Sequence, residues 1–459
     1  MSIIASSLSI VFIVITAVYL YRKFNPQAVL LVSGVLMLSV AVLLGVNTFE
    51  LSKPTNNTLF DLFRLMEETF QTNHLRVGLM IMTIGGYVAF MNRIEATSAL
   101  VYVSMKPLGF FHKYPYWAAT LVIPIGQLLF ITTPSAVGLG LLLVASVYPV
   151  LVNLGVSRLT ALSVISAATI FDQGPGSANT ALASELIGQT NVFYFVTHQI
   201  PLVIPTTLVV MAAYYFSNRY FDRKDRAKNV EPQDIPELKP PNVNVPLIFA
   251  FLPVLPLFLL IIFSPYLNLF DPPIQINTTV AMFVSLFVSI IFVLFHYRSM
   301  KRTFEAISHF WKGMGNVFAT VVTLIIAAEV FSKGLISLGF IDSLVSITSH
   351  LGMSGIGVSA VITLIVFGAA MLMGSGNAAF FSFGPLLPGI AGQLSLPAHV
   401  MVLPMQLSSS MGRAASPIAG VIVAIAGVAG VSSADIAKRN LLPLSAGLIF
   451  MLACHFLTI

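Results

Sequence analysis

The sequence predicts an all-α integral membrane protein: about ten transmembrane helices and two re-entrant hairpins, in two inverted-topology repeats that each contain a broken helix. Three observations lead there. Of 459 residues, 57% are hydrophobic and 9% charged, where a soluble domain carries about 25% charged residues, so lipid has to replace the missing polar shell. Apolar stretches recur at the length that crosses a bilayer, roughly 20 residues for a hydrocarbon core about 30 Å thick. Four of the longest stretches carry glycine, proline and small polar residues in their middle, where an unbroken helix is not sustained.

Taken in order, residues 3–20 and 27–46 read as full spans, and residues 1–75 as N-terminal scaffold helices. The first run starts at Ser2 with no lysine or arginine before it, so it lacks the charged region of a cleavable signal peptide and is expected to be retained. The first repeat covers 76–216: a span at 76–91, an amphipathic connector, a hairpin at 115–150, a broken helix at 159–188 and a span at 195–216. A charged, proline-rich cytoplasmic linker follows at 217–245. Residues 246–313 read as scaffold spans at 246–263 and 277–296 followed by a cytoplasmic loop. The second repeat, 314–459, keeps the order of the first: span 314–331, connector, hairpin 355–390, broken helix 398–430, span 441–458. In each hairpin two half-length helices meet at a polar tip, Thr132-Thr133-Pro134-Ser135 in one and Gly374-Ser375-Gly376-Asn377 in the other. Non-helical backbone at membrane depth is tolerable only where it lines a cavity or is buried in protein.

Charge placement agrees with this topology. If 21–26, 92–114, 151–158, 217–245, 297–313 and 431–440 face the cytoplasm, they hold 18 of the 23 lysines and arginines, as the positive-inside rule requires. Reading either hairpin as a full crossing would invert everything after it and spoil the asymmetry. The net charge of +6 therefore reports orientation and not a nucleic-acid surface, because the basic residues lie between spans. The single cysteine, Cys454, excludes a disulfide framework or a cysteine metal site within one chain.

The halves also resemble each other. At an offset of about 240 residues, Met91-Asn92-Arg93 falls on Phe331-Ser332-Lys333, Tyr148-Pro149 on Leu387-Pro388, and Gly176-Ser177 on Ala415-Ser416. The span ending at Met91 runs inward and the one ending at Phe331 outward, so the copies are inverted, which is the architecture of secondary transporters. The breaks are expected at Asp172-Gln173-Gly174-Pro175-Gly176-Ser177 and at Ser408 to Pro417. Helix N-termini there carry roughly half a positive charge, so four interruptions converging from two repeats would suit an anion. Candidate substrate contacts are Thr132, Thr133, Ser135 and Gly138; Gln173, Gly174 and Ser177; Gly374, Ser375, Gly376 and Asn377; and Ser409, Ser410, Gly412, Arg413 and Ser416. Arg413, alone within a span, could take a carboxylate, form a structural pair with Asp172 or Glu329, or snorkel to the cytoplasmic side. Asp172 is the coupling-ion candidate, for a proton or Na+, or else an N-cap of the second half-helix. Glu329 reads as an interfacial carboxylate. No cofactor or metal is expected beyond that coupling ion, the eight histidines form no HExxH pair, and no nucleophile–base motif appears, so an enzyme is not expected. The match of Gly352-Met353-Ser354-Gly355 to the GxSG string of intramembrane proteases lies in a connector and reads as chance.

The runs Gly374-Ser375-Gly376-Asn377-Ala378, Gly412-Arg413-Ala414-Ala415-Ser416-Pro417-Ile418-Ala419-Gly420-Val421 and Gly138-Leu139-Gly140-Leu141-Leu142 resemble the DcuC family of anaerobic C4-dicarboxylate carriers over nearly the whole chain. The resemblance implies the ion transporter superfamily, a homodimer in the bacterial cytoplasmic (inner) membrane, and the lipid bilayer and small dicarboxylates as partners. It implies succinate, fumarate, malate or aspartate as cargo, by exchange or cation-coupled alternating access; another organic anion, an amino acid or a cation/proton exchange is the alternative on the same scaffold. In one departure, the family's acid near Gly176 is replaced here by Asp172 at the start of the break.

Overall fold

The structure, a computed structural model, describes residues 2–46, 51–73, 77–111, 113–227, 244–264, 267, 269–271 and 274–458. Arg76, the middle of the expected linker at 228–243, and Ile459 lie outside the described residues. Among the described residues there is no strand, and seven helices are long and apolar enough to cross a membrane.

The chain opens with α1 (Ser2–Tyr21), α2 (Pro26–Leu43) and α3 (Thr58–Asn73), then α4 (Leu79–Arg93) and the connector α5 (Ala96–Met105). The first interrupted pair is α6 (Pro115–Thr132) and α7 (Ala136–Ser146), extended by α8 (Tyr148–Asn153). The first broken helix is α9 (Arg158–Ala167) and α10 (Ala178–Leu186); α11 (Asn191–Tyr194) runs through a π turn at Phe195–Gln199 into α12 (Ile200–Ala227). Then come a 3-10 segment at Leu247–Val254 with α13 (Leu255–Ile262), α14 (Thr278–Tyr297), and α15 (Met300–Val317), which a π turn at Phe318–Val322 joins to α16 (Thr323–Ser337). The second half continues with α17 (Phe340–His350), α18 (Gly355–Met373), α19 (Gly376–Phe383), α20 (Leu387–Gln393), α21 (Ala398–Ala414), α22 (Gly420–Ala429) and α23 (Ser433–Leu457).

Local chemistry explains the boundaries. Asn25, Ser157, Asn277, Ser299 and Ser354 each accept a hydrogen bond from the first turn that follows them, which satisfies donors a helix start leaves orphaned. On α14 the large residues Val280, Val284, Phe287, Ile291 and Phe295 form one exposed stripe, while Ala281, Ser285, Ser289 and Val293 are buried on the other side. A stripe that apolar and that exposed faces lipid.

Packing is reciprocal between the halves. Helix α2 runs along α16, and α4 runs along α15. The second pair meets backbone to backbone, because a side chain at Gly86 or Gly313 would collide with Phe310 O or Gly85 O. The interrupted helices gather beside these pairs, with α18 on α21, α7 on α22 and α12 on α23.

Several expectations change. Residues 297–313, expected as a loop, are mostly helix α15, and the expected span 314–331 is the interior of one helical run, Met300–Ser337. Its first turns are amphipathic, not apolar, so a hydropathy reading cuts them off. The arms α6 and α18 are 18 and 19 residues, about 27 and 28 Å at 1.5 Å per residue, and so neither is half-length. The second break is shorter than expected: α21 stays helical through Ser408, Ser409, Ser410, Gly412 and Arg413, and only 415–419 is open. Ser408 and Ser409 donate back to the carbonyls of Met405 and Gln406 at 3.0 and 2.7 Å, which keeps their hydroxyls satisfied inside the helix. The first break is longer than expected, with helix absent from 168 to 177.

Candidate substrate site

The two interruptions expected as hairpin tips are built the same way. After Thr133 and Pro134, Ser135 caps α7 by accepting from Gly138 N at 3.3 Å. After Gly374, Ser375 caps α19 by accepting from Ala378 N at 3.2 Å. In the first break Ser177, not Asp172, caps α10, accepting from Asn179 N and Thr180 N at 3.1 and 3.2 Å. Each serine thereby ends non-helical backbone and starts a new half-helix.

Each tip rests on the broken helix of its own half. Gly174 is held at φ +95°, and a β-carbon there would stand 2.7 Å from the Ile131 side chain of α6, a conformation and a closeness that favour glycine. A side chain at Gly376 would stand 2.8 Å from Ser409 O, so the second tip sits directly on α21.

A cavity of about 290 Å³ lies where these parts meet α4 and α15. One wall carries Pro134 and Ser135 from the first tip, Asp172, Gly176 and Ala178 from the first break, and Asn377 from the second tip. The N-termini of α7, α10 and α19 therefore all edge one space. The fourth, at α22, does not: a side chain at Gly420 would meet Val137 of α7 instead. The facing wall is apolar, Ile81, Ile84 and Val88 with Val317 and Val321, apart from two exposed amides, Asn92 and Asn316.

Of the residues singled out from sequence, Ser135, Asp172 and Asn377 line the cavity. Thr132 and Thr133 turn their hydroxyls back to Leu129 O, both at 2.8 Å, and Thr132 borders a smaller space with Pro253 and Pro256. Gly138 and Ser375 act in the caps, Gly174 and Ser177 shape the break, and Gln173 is buried away from the lining residues. Gly374 has φ +71° at the end of α18. Ser409, Ser410, Gly412 and Ser416 are buried behind the tips; Ser410 Oγ accepts from Asn179 Nδ2 at 3.5 Å, and Ser416 Oγ from Ile418 N at 3.3 Å.

Arg413 is placed behind the cavity. It donates through one terminal nitrogen to Thr169 O, lies 5.8 Å over the Phe130 ring, and keeps Nε without a partner among the described residues. Asp172 Oδ1 is likewise unpartnered. The two charges interact across the break without forming an ion pair. Glu329 instead pairs with Lys333 at 3.4 Å, and Lys333 donates to Thr69 Oγ1 at 2.9 Å.

Sequence reasoning missed the amide network that holds the first break. Gln406, fully buried on α21, accepts from Tyr194 OH at 2.8 Å and Gln199 Nε2 at 3.1 Å, and donates to Asp172 O at 3.2 Å. Gln199, at the π turn, accepts from Gly174 N at 3.1 Å and donates to Thr180 Oγ1 at 3.0 Å. Two uncharged amides inside apolar spans were the available signal, since buried polar groups require partners.

Comparison with known proteins adds family and fold. The C4-dicarboxylate anaerobic carrier family, DcuC, matches residues 4–459. The chain is 31% identical over 433 residues to the probable anaerobic C4-dicarboxylate transporter DcuC of Vibrio cholerae serotype O1, covering 94% of this chain and 93% of that protein. It is 30% identical over 446 residues to the anaerobic C4-dicarboxylate transporter DcuC of Escherichia coli K12, covering 97% and 95%. Among solved structures, the YdaH transporter of Alcanivorax borkumensis superposes with a TM-score of 0.61 at 14% identity over 94% of this chain and 98% of that one. MtrF of Neisseria gonorrhoeae, from a class of antimetabolite efflux pumps, gives 0.63 at 13% identity over 96% of both chains. At such identities the likeness concerns the fold alone.

Proposed function

The chain belongs to the C4-dicarboxylate anaerobic carrier family, and from that premise we propose that it is a secondary carrier that moves C4-dicarboxylates across the bacterial cytoplasmic membrane by alternating access, with the cavity at Ser135, Asp172 and Asn377 as the substrate site. The observation that supports this reading is the convergence of three half-helix N-termini, from both halves of the chain, on one space. Each end contributes partial positive charge and free backbone donors to an anion. The tips and breaks would move as one unit against α4 and α15, with the interrupted pairs α6–α7 and α18–α19 entering and leaving on one membrane face.

Asp172 makes the reading specific about coupling. A carboxylate about 5 Å from a substrate carboxylate costs about 3 kcal/mol at an effective dielectric near 20. A helix N-terminus returns roughly 0.3–2 kcal/mol, and no basic side chain lines the cavity among the described residues. Arg413, too far for an ion pair, offsets only part of the repulsion. The dianion therefore binds with Asp172 neutralised by a proton or a cation, which links substrate movement to that ion. The homodimer belongs to the same proposal and is checked by the mass of the purified carrier in detergent.

The test is counterflow in proteoliposomes with labelled succinate or fumarate against a panel of dicarboxylates, amino acids and sodium. Saturable exchange restricted to dicarboxylates supports the carrier; exchange of sodium or amino acids with no dicarboxylate movement would refute it. Asp172→Asn should keep exchange and lose its dependence on pH or Na+. A variant that retains the parent's full ion dependence would remove the coupling role.

A further inference from the structure

The helical run Met300–Ser337 is 38 residues, about 57 Å at 1.5 Å per residue, while the hydrocarbon core is about 30 Å thick. Part of it must lie outside the core, and its sequence says which part. On α15, Met300, Phe304 and Trp311 recur at helical spacing on one face and are 53%, 58% and 61% exposed. The buried face, Thr303, Ala306, Phe310 and Gly313, points about 120° away from it. Lys301 and Lys312 border the exposed apolar stripe, Arg298 stands just before it and Arg302 lies beyond it; all four are exposed and make no ion pair among the described residues. Glu305 is the only acid on α15, and His309, half-buried, donates from Nδ1 to Glu305 O at 3.2 Å.

We infer that the start of α15 is a docking surface for anionic phospholipid headgroups, with the Met300, Phe304 and Trp311 stripe lying among the acyl chains and Lys301 and Lys312 holding the phosphate. An exposed apolar face bordered by lysines offers acyl chains and an anionic headgroup the two contacts they need, and basic residues next to a span are drawn to acidic headgroups. Zwitterionic lipid satisfies the stripe but leaves the lysines without a net counter-charge. The surface is separate from the substrate cavity in its ligand, although Gly313 and Asn316 of the same helix line that cavity.

Fluorescence tests this with no substrate present, so the result is independent of the transport reading. The chain has two tryptophans, Trp117 and Trp311, and Trp117→Phe leaves Trp311 as the reporter. The full-length carrier is placed in phosphatidylcholine nanodiscs in which an equal minor fraction, either phosphatidylglycerol or phosphatidylcholine, is brominated. Quenching should be about twofold stronger with brominated phosphatidylglycerol, and Lys301→Gln with Lys312→Gln should make the two equal while a Lys53→Gln control keeps the difference. Equal quenching in the parent overturns the inference, as does an undiminished preference in the double variant. Absence of quenching by either lipid also overturns it, because a second copy or another protein then covers the face.

Discussion

Replacing Gln406 with leucine probes the network that shapes the proposed substrate site. The change removes the acceptor of Tyr194 OH and Gln199 Nε2 and the donor to Asp172 O. Gln199 Nε2 retains Thr180 Oγ1 at 3.0 Å, and Asp172 O retains Ser177 Oγ at 3.3 Å. Tyr194 OH alone loses its partner, in a fully buried position. An orphaned buried group costs about 1–3 kcal/mol and each of the other two lost bonds about 0.5–1.5, so Gln406→Leu should destabilise by about 2–6 kcal/mol. Tyr194→Phe removes one bond but strands no donor, at about 1 kcal/mol. In the double variant no hydroxyl is orphaned, and the combined cost should fall below the sum of the singles by about 1–2 kcal/mol. Unfolding by SDS titration in mixed micelles measures the three values, and counterflow reports whether the break keeps its shape. Additive costs, or a Gln406→Leu variant as stable as the parent, would refute the reasoning.

Three further outcomes follow from particular contacts. Asp222 accepts from Arg439 at 2.5 Å, Ser157 at 2.7 Å, Thr160 at 2.8 Å and Tyr116 at 3.1 Å, and Arg439 also bonds Asp225. Asp222→Asn should therefore cost about 3 kcal/mol, the low end for breaking a buried pair because one carboxylate remains, and should lower yield in fluorescence-detected chromatography after heating. A side chain at Gly412 would stand 2.3 Å from Phe367 O, whereas Gly427 has nothing within 4 Å. Gly412→Val should destabilise by about 1–3 kcal/mol and Gly427→Ala should stabilise by up to about 1 kcal/mol, both read by SDS titration. The Glu68 carboxyl is held below its ordinary value of 4.5 chiefly by the Ser52 N–H, with help from Lys53 N and Arg64 and opposed by desolvation. Its hold on Ser52 and Lys53 is thus complete above pH 4.5 and is lost as the pH falls through the depressed value. Hydrogen exchange at Ser52 and Lys53 should rise in that acid window, and Glu68→Gln should flatten the dependence.

Composition and the pattern of interruptions were enough to identify an all-helical membrane chain and to locate interruptions at Thr133 to Ser135, at Gly174 to Ser177 and at Gly374 to Ser375, because each depends on local properties: hydropathy over a span, or the inability of glycine and proline to sustain a helix. The family rested instead on the resemblance of short runs such as Gly374-Ser375-Gly376-Asn377-Ala378. Local pattern misled where a helix could meet its needs internally. Ser408 and Ser409 look like a break but bond back to their own turn, and α15 looks like a loop because one face is charged. Which polar residues share a space is a different kind of fact. Asn92 and Asn316 reach the cavity only because glycines let α4 and α15 touch, and Gln406 matters only because α21 passes Asp172, 234 positions earlier in the chain. The same packing leaves Arg413, the sharpest single residue in the sequence, holding the Thr169 carbonyl behind the site. Sequence specified what must be buried or interrupted; the approach of distant helices decided which of those groups face one another, since that depends on contacts no local stretch contains.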